Sequence, residues 1–160
     1  DAPVADFGAP MEAIKDFAQK GGRVLGICNG FQILTEAKLL QGALKRNKDL
    51  HFISQNQNLI ILNTDNAFLR HYKKGEVITL PIAHADGNYY CKPSELENME
   101  KNGQILLKYE SDINGSVAQI AGICNEKKNI FGLMPHPERA CENLLGSAIG
   151  LKMLESIYQH

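Results

Sequence analysis

The sequence has no excess of charge of either sign. Seventeen Lys and Arg stand against eighteen Asp and Glu, a formal net charge of -1 and a pI near 6.6. Nucleic acid or an anionic membrane as main partner is disfavoured, since either needs a basic surplus to release counterions. Apolar runs of about 18 residues, the length of a membrane span, are lacking, and no secretory signal opens the chain. Cys28, Cys91, Cys124 and Cys141 contain no C-x-x-C pair, which argues against a disulfide framework and against a zinc cluster. No metal site is expected, and the thiols are expected to be reduced in a cytosol. Internal repeats, low-complexity tracts and a G-x-x-x-x-G-K-[ST] phosphate loop are absent too.

What remains is 160 residues with 44% hydrophobic and 22% charged side chains, the ordinary balance of one globular domain. DAPVADFGAP, with two prolines, reads as extended or loop. Met11, Ile14, Phe17 and Ala18 recur at helical spacing and Gly21-Gly22 ends that helix. RVLGIC reads as a buried parallel strand, and Phe31 to Leu40 as a helix. His51–Leu62 and Lys74–Ile82 are strand-rich, with Pro81 closing the second, and AHADGNYY reads as a loop. Ser94–Asn102 carries the pattern of a capping box between Ser94 and Glu97. Ile105–Tyr109, Val117–Cys124 and Asn129–Met134 read as strands, the last two forming a hairpin, and an amphipathic helix ends the chain. The fold class is α/β: an open, mostly parallel sheet flanked by helices.

Gly26-Ile27-Cys28-Asn29-Gly30 has the form G-x-nucleophile-x-G between a strand and a helix. A tight turn there exposes the central side chain and crowds the positions two before and two after it, which favours glycine at both. The thiol then lies at a helix N-terminus, which favours thiolate, and the Asn29 N–H faces the site of an oxyanion. GICN recurs at 122–125, but Glu126 and a charged turn follow Cys124, so Cys124 reads as a packed strand residue. Cys91 and Cys141 have no activating context.

A cysteine nucleophile needs a base and the base an orienting group. His51, His71 and His160 lie among charged residues or at the terminus and read as solvated; His84 stays open. His136 sits in Met134-Pro135-His136-Pro137-Glu138-Arg139, held by prolines out of the helical region, and in an extended segment Glu138 would share its side. The expected order is Cys28, His136, Glu138.

GICNGFQ with MPHPER far downstream resembles the class I (triad) glutamine amidotransferases, and the resemblance runs from about Met11 onward. Within that superfamily the match is closest to the branch serving de novo purine biosynthesis, partly because of Asn29; RNKDLHFI and PIAHADGNYY also look like segments of it. The resemblance implies a single amidotransferase domain over 1–160 that hydrolyses L-glutamine to glutamate. It makes Cys28 the nucleophile, His136 the acid/base and Glu138 its partner, with Gln32, Asn29 and Gly30 at the substrate. Ammonia would pass to a synthetase subunit, with a small accessory subunit in the same complex. No cofactor is implied for this chain, ATP and Mg being expected only on the synthetase, where the amidine ribonucleotide is made. The cytoplasm is the implied location. Tyr89-Tyr90 reads either as part of the docking surface or as core packing.

Members of that family begin with about two further βα units, which add strands and a glycine-rich loop bearing a second oxyanion N–H. These are missing here, so the chain is expected to be truncated at its N-terminus. The family's His-Gly-acidic-Gly loop stands as His84-Ala85-Asp86-Gly87. Two other readings remain: another cysteine hydrolase of this fold, such as one cleaving γ-glutamyl conjugates, and a catalytically silent docking subunit.

Overall fold

The structure, a computed structural model, describes residues 8–48, 51, 53–140 and 149–158. In chain order these form α1 (Gly8–Gln19), β1 (Val24–Ile27), α2 (Asn29–Glu36), β2 (Ala43–Lys45), β3 (Ile53–Ile61) and β4 (Val77–His84). β5 (Asn88–Tyr90), α3 (Pro93–Lys101), β6 (Ile105–Tyr109), β7 (Ile120–Cys124), β8 (Ile130–Leu133) and α4 (Ile149–Tyr158) follow, with 3-10 turns at Val117–Gln119 and Pro137–Ala140.

Six strands make one sheet in the order β1-β8-β7-β6-β3-β4, and β2 pairs β5 separately. The α/β class holds, but the expectation of a mostly parallel sheet does not. Among the described strands of this sheet, β1–β8 is parallel and the other four pairings are antiparallel. The reason lies in the connections. Antiparallel neighbours need only a turn, as between β7 and β8, whereas β1 and β8 are joined through nearly the whole intervening chain.

One core, with Leu59, Ile61, Leu80, Ile82, Phe131 and Leu133, is built on β3, β4 and β8; β1 adds Leu25 and Ile27. A second core lies where Phe31 and Leu34 of α2 and Ala18 of α1 meet Ile123 and Ile130. Gly132 lets α2 approach: a Cβ there would overlap the Phe31 ring and come within 2.7 Å of Leu40 Cδ1. At the sheet's far edge β4 alternates, with Ile78, Leu80, Ile82 and His84 buried. Although β1 and β4 are opposite edges, the sheet curls until they nearly meet. Cys28 Sγ, just past β1, lies 3.5 Å from the Ala83 carbonyl oxygen of β4.

Several local expectations are corrected. Residues 8–10 are already helical, and the preceding seven lie outside the described residues. Pro81 lies inside β4 and does not close it. Its carbonyl accepts the His136 N–H at 2.8 Å on the outer edge, so the donor it lacks would have faced away from β3. AHADGNYY is two strand segments around a bend at Ala85-Asp86. α3 starts one residue before Ser94, with Pro93 in the first turn, and Glu95, not Glu97, accepts the Lys92 N–H at 2.9 Å. Cys141 and His160, and the helix-spaced Leu144, Leu145 and Ala148, lie outside the described residues.

Candidate active site

Cys28 joins β1 to α2 with φ 56° and ψ -107°, a conformation an L-residue rarely holds. Backbone bonds hold it there. Its N–H donates to Leu133 O at 2.8 Å, and its carbonyl accepts from Phe31 and Gln32 N–H at 3.0 and 3.2 Å. Gly26 is required as expected: a Cβ there would come within 2.5 Å of Leu34 Cδ1 and 2.6 Å of Gly30 O. Gly30 is not, since a Cβ there would meet nothing within 4 Å.

His136 arrives from the adjacent strand. In the parallel pair Ile27 stands opposite Leu133, so the residues after β1 and after β8 leave the sheet side by side. The one parallel pairing in the described sheet is therefore the one that assembles the site. His136 is 8% exposed, pinned by its N–H to Pro81 O, and its Nδ1 lies 2.8 Å from Glu138 Oε2. That contact forms for a different reason from the one expected. Glu138 lies in the turn Pro137–Ala140, not an extended segment, and the tight turn folds it back onto the ring.

With Glu138 on Nδ1, the proton belongs on that nitrogen and Nε2 carries the lone pair. Nε2 is buried without a hydrogen-bond partner. The Cys28 thiol in this arrangement donates to Ala83 O. Burial pushes its pKa up from 9.0, and the nearby Glu138 charge adds to that, while the Asn29 N–H and the Arg139 guanidinium pull it down. The net direction is upward, so the helix N-terminus favours thiolate without securing it. Desolvation outweighs it. That Glu138 and Arg139 act on the sulfur also shows that the two motifs, over a hundred residues apart, converge. Arg139 was visible in MPHPER but had no assigned role.

Gln32 lies one turn into α2 with its side chain 3.4 Å from Glu36 Oε1, and Asn29 is exposed at the helix start. His84 is buried beside the site, Nδ1 3.1 Å from Asn47 Oδ1, and its own pKa is lowered by burial and by the neighbouring His136. Asn47 had no sequence signal. Cys124 is buried in β7 with its pKa pushed up to about 12 by desolvation, that of an inert packed thiol. Tyr89 is core, stacked on Phe31 at 5.7 Å and donating to Gln41 O, whereas Tyr90 is 45% exposed under the Lys45 ammonium. Among the described residues no cluster of three His, Cys, Asp or Glu could hold a metal ion, and no helix is long and apolar enough to cross a membrane.

The profile of the CobB/CobQ-like glutamine amidotransferase domain matches residues 8–156. This chain belongs to that amidotransferase family. Among relatives of this family, the phosphoribosylformylglycinamidine synthase subunit PurQ of Helicobacter hepaticus is 62% identical over 96% of this chain and 69% of its own length. PurQ of Campylobacter jejuni is 56% identical with the same coverages. A chain in the structure of PurLQS from Thermotoga maritima superposes with a TM-score of 0.83 at 44% identity, over 91% of this chain and 65% of that one. The amidotransferase chain described here thus spans about two thirds of the length of the proteins it matches.

Proposed function

We propose that this chain is the glutaminase of a phosphoribosylformylglycinamidine synthase, hydrolysing L-glutamine and supplying ammonia to a synthetase subunit. The observation that carries the reading is the delivery of Cys28 and the Glu138-bound His136 to one place by the adjacent parallel strands β1 and β8. The names of the relatives supply the complex.

In the reaction, His136 Nε2 takes the Cys28 proton as the sulfur attacks the side-chain amide carbon. The Asn29 N–H holds the oxyanion, and such a donor contributes roughly 2.7–4 kcal/mol. Collapse breaks the C–N bond while His136 returns the proton to nitrogen, releasing ammonia and leaving a glutamyl thioester. Water, deprotonated by His136, then cleaves the thioester to glutamate. Glu138 holds the imidazole and stabilises its charged form. A buried thiol with a raised pKa suits this scheme, since proton removal is coupled to substrate arrival and a free thiolate is not exposed beforehand. Gln32 and Gly30 would border the glutamine; ATP and Mg would act on the synthetase, with a small accessory subunit completing the complex, in a cytosol.

The test is ammonia release from glutamine by the chain alone and with the synthetase, beside Cys28→Ala. The expected outcome is slow release alone, marked stimulation in the complex, and loss in the variant. Equal release by Cys28→Ala and the parent would refute the nucleophile; fast, partner-independent release would favour a free-standing hydrolase.

A further inference from the structure

His84 ends β4 and is 3% exposed. Its ring state follows from Asn47, itself 2% exposed. Asn47 Nδ2 donates to the carbonyl oxygens of His51 at 2.7 Å and His84 at 2.9 Å, which only the nitrogen of the amide can do. Oδ1 is therefore the atom facing both the Gly87 N–H and His84 Nδ1, each at 3.1 Å. An acceptor opposite Nδ1 places the proton on Nδ1, and Nε2 carries a lone pair. Burial keeps the ring neutral. Gly87 packs so close that a Cβ there would overlap the imidazole, so the ring is held in place. The lone pair on Nε2 is buried with no donor facing it. Immediately before His84, the Ala83 carbonyl receives the Cys28 thiol.

We propose that His84 determines specificity for the amide: its Nε2 accepts a hydrogen bond from the carboxamide N–H of glutamine at Cys28. This rests on the glutaminase reading above. Glutamine brings an NH2 donor to that lone pair. Glutamate brings only anionic oxygens, which a locked neutral acceptor repels, so substrate is favoured and the acid product is expelled. Ammonia, a donor, meets no such repulsion on leaving.

Two near-isosteric variants separate this from a packing role. In His84→Asn the amide reaches only the Nδ1 position; in His84→Gln it reaches Nε2. Assayed in the complex with the synthetase, His84→Asn should raise KM for glutamine about tenfold, the worth of one neutral hydrogen bond, with kcat nearly unchanged. The ratio of the glutamate inhibition constant to that KM should fall by at least the same factor, and His84→Gln should restore both. As a measurement independent of variant folding at 84, 15N-histidine-labelled Cys28→Ala chain should show the His84 Nε2 signal shifting with L-glutamine and not with L-glutamate. An unchanged ratio in His84→Asn, or an unmoved Nε2 signal at saturating glutamine, would overturn the assignment while Cys28-dependent glutaminase activity persists. Glutaminase activity that survives Cys28→Ala would instead overturn the reading beneath it.

Discussion

Cys28 holds a positive φ because Leu133, Phe31 and Gln32 hydrogen-bond it on both sides of the turn. A residue so placed stores roughly 1–3 kcal/mol, which the surrounding packing offsets. The glycines around it are unequal. Gly26→Ala should destabilise by about 1–3 kcal/mol, since its methyl would meet both a side chain and the Gly30 backbone. Gly30→Ala, in open space on a helix, should be neutral or stabilising by up to about 1 kcal/mol. Denaturant melts of the two variants would settle it, and equal losses would contradict this account of the elbow. At the sulfur, the pKa lies above 9.0, so alkylation by iodoacetamide should be slow at neutral pH and accelerate as pH rises past that value. Arg139→Ala should slow it further at fixed pH, because a cation that favours thiolate is gone. The stopped alkylation time course, followed by mass at Cys28, reports both.

Among elements, Asn129 is the residue that ties helix to sheet. Its Nδ2 donates to the Ala18 and Gly22 carbonyl oxygens at the end of α1, at 2.8 and 2.9 Å, and its N–H donates to Asn125 Oδ1 in the β7–β8 turn. Asn129→Ala takes this donor from the Gly22 carbonyl and leaves Ala18 O with the Gly21 N–H, so thermal melting should show a loss of about 1–3 kcal/mol. A loss below a few tenths would mean water replaces the amide. The hairpin itself, and β6 residue for residue, were readable from turn polarity and apolar runs. The place of Pro81 inside β4 is not legible locally, because its cost depends on which side of an edge strand its nitrogen faces, and only pairing decides that. The capping box was misplaced because Ser94-x-x-Glu97 and Lys92-x-x-Glu95 overlap, and the helix start selects between them.

For the whole molecule, the curl of the sheet brings β4 against the end of β1, and with it His84 into the interior. Folding lowers the His84 pKa below 6.5, so the unfolded chain binds a proton that the folded chain refuses. Its contribution is present above pH 6.5 and falls away as pH drops through that value toward the folded pKa. The melting temperature should therefore decline from pH 6.5 to 5, less steeply in His84→Gln; parallel slopes would assign the decline to other groups. At the alkaline end the sign reverses. Cys124, raised from 9.0 to about 12, adds stability that is complete below pH 9.0 and lost as pH rises through about 12.

The sequence by itself determined the α/β class, the tight turn that carries Cys28 between a strand and a helix, and the His136–Glu138 pair, because each depends on residues close together in the chain. Glycine two before a cysteine, a helix behind it and prolines about a histidine are local constraints that spacing exposes. Tertiary structure alone decided that the sheet is largely antiparallel among the described strands, that their one parallel pairing joins β1 to β8, and that desolvation raises the thiol pKa. It also decided that Asn47 locks the His84 tautomer from 37 residues away. Pair register, burial and hydrogen bonds across such separations depend on how distant segments meet, and nothing in a local pattern carries that information.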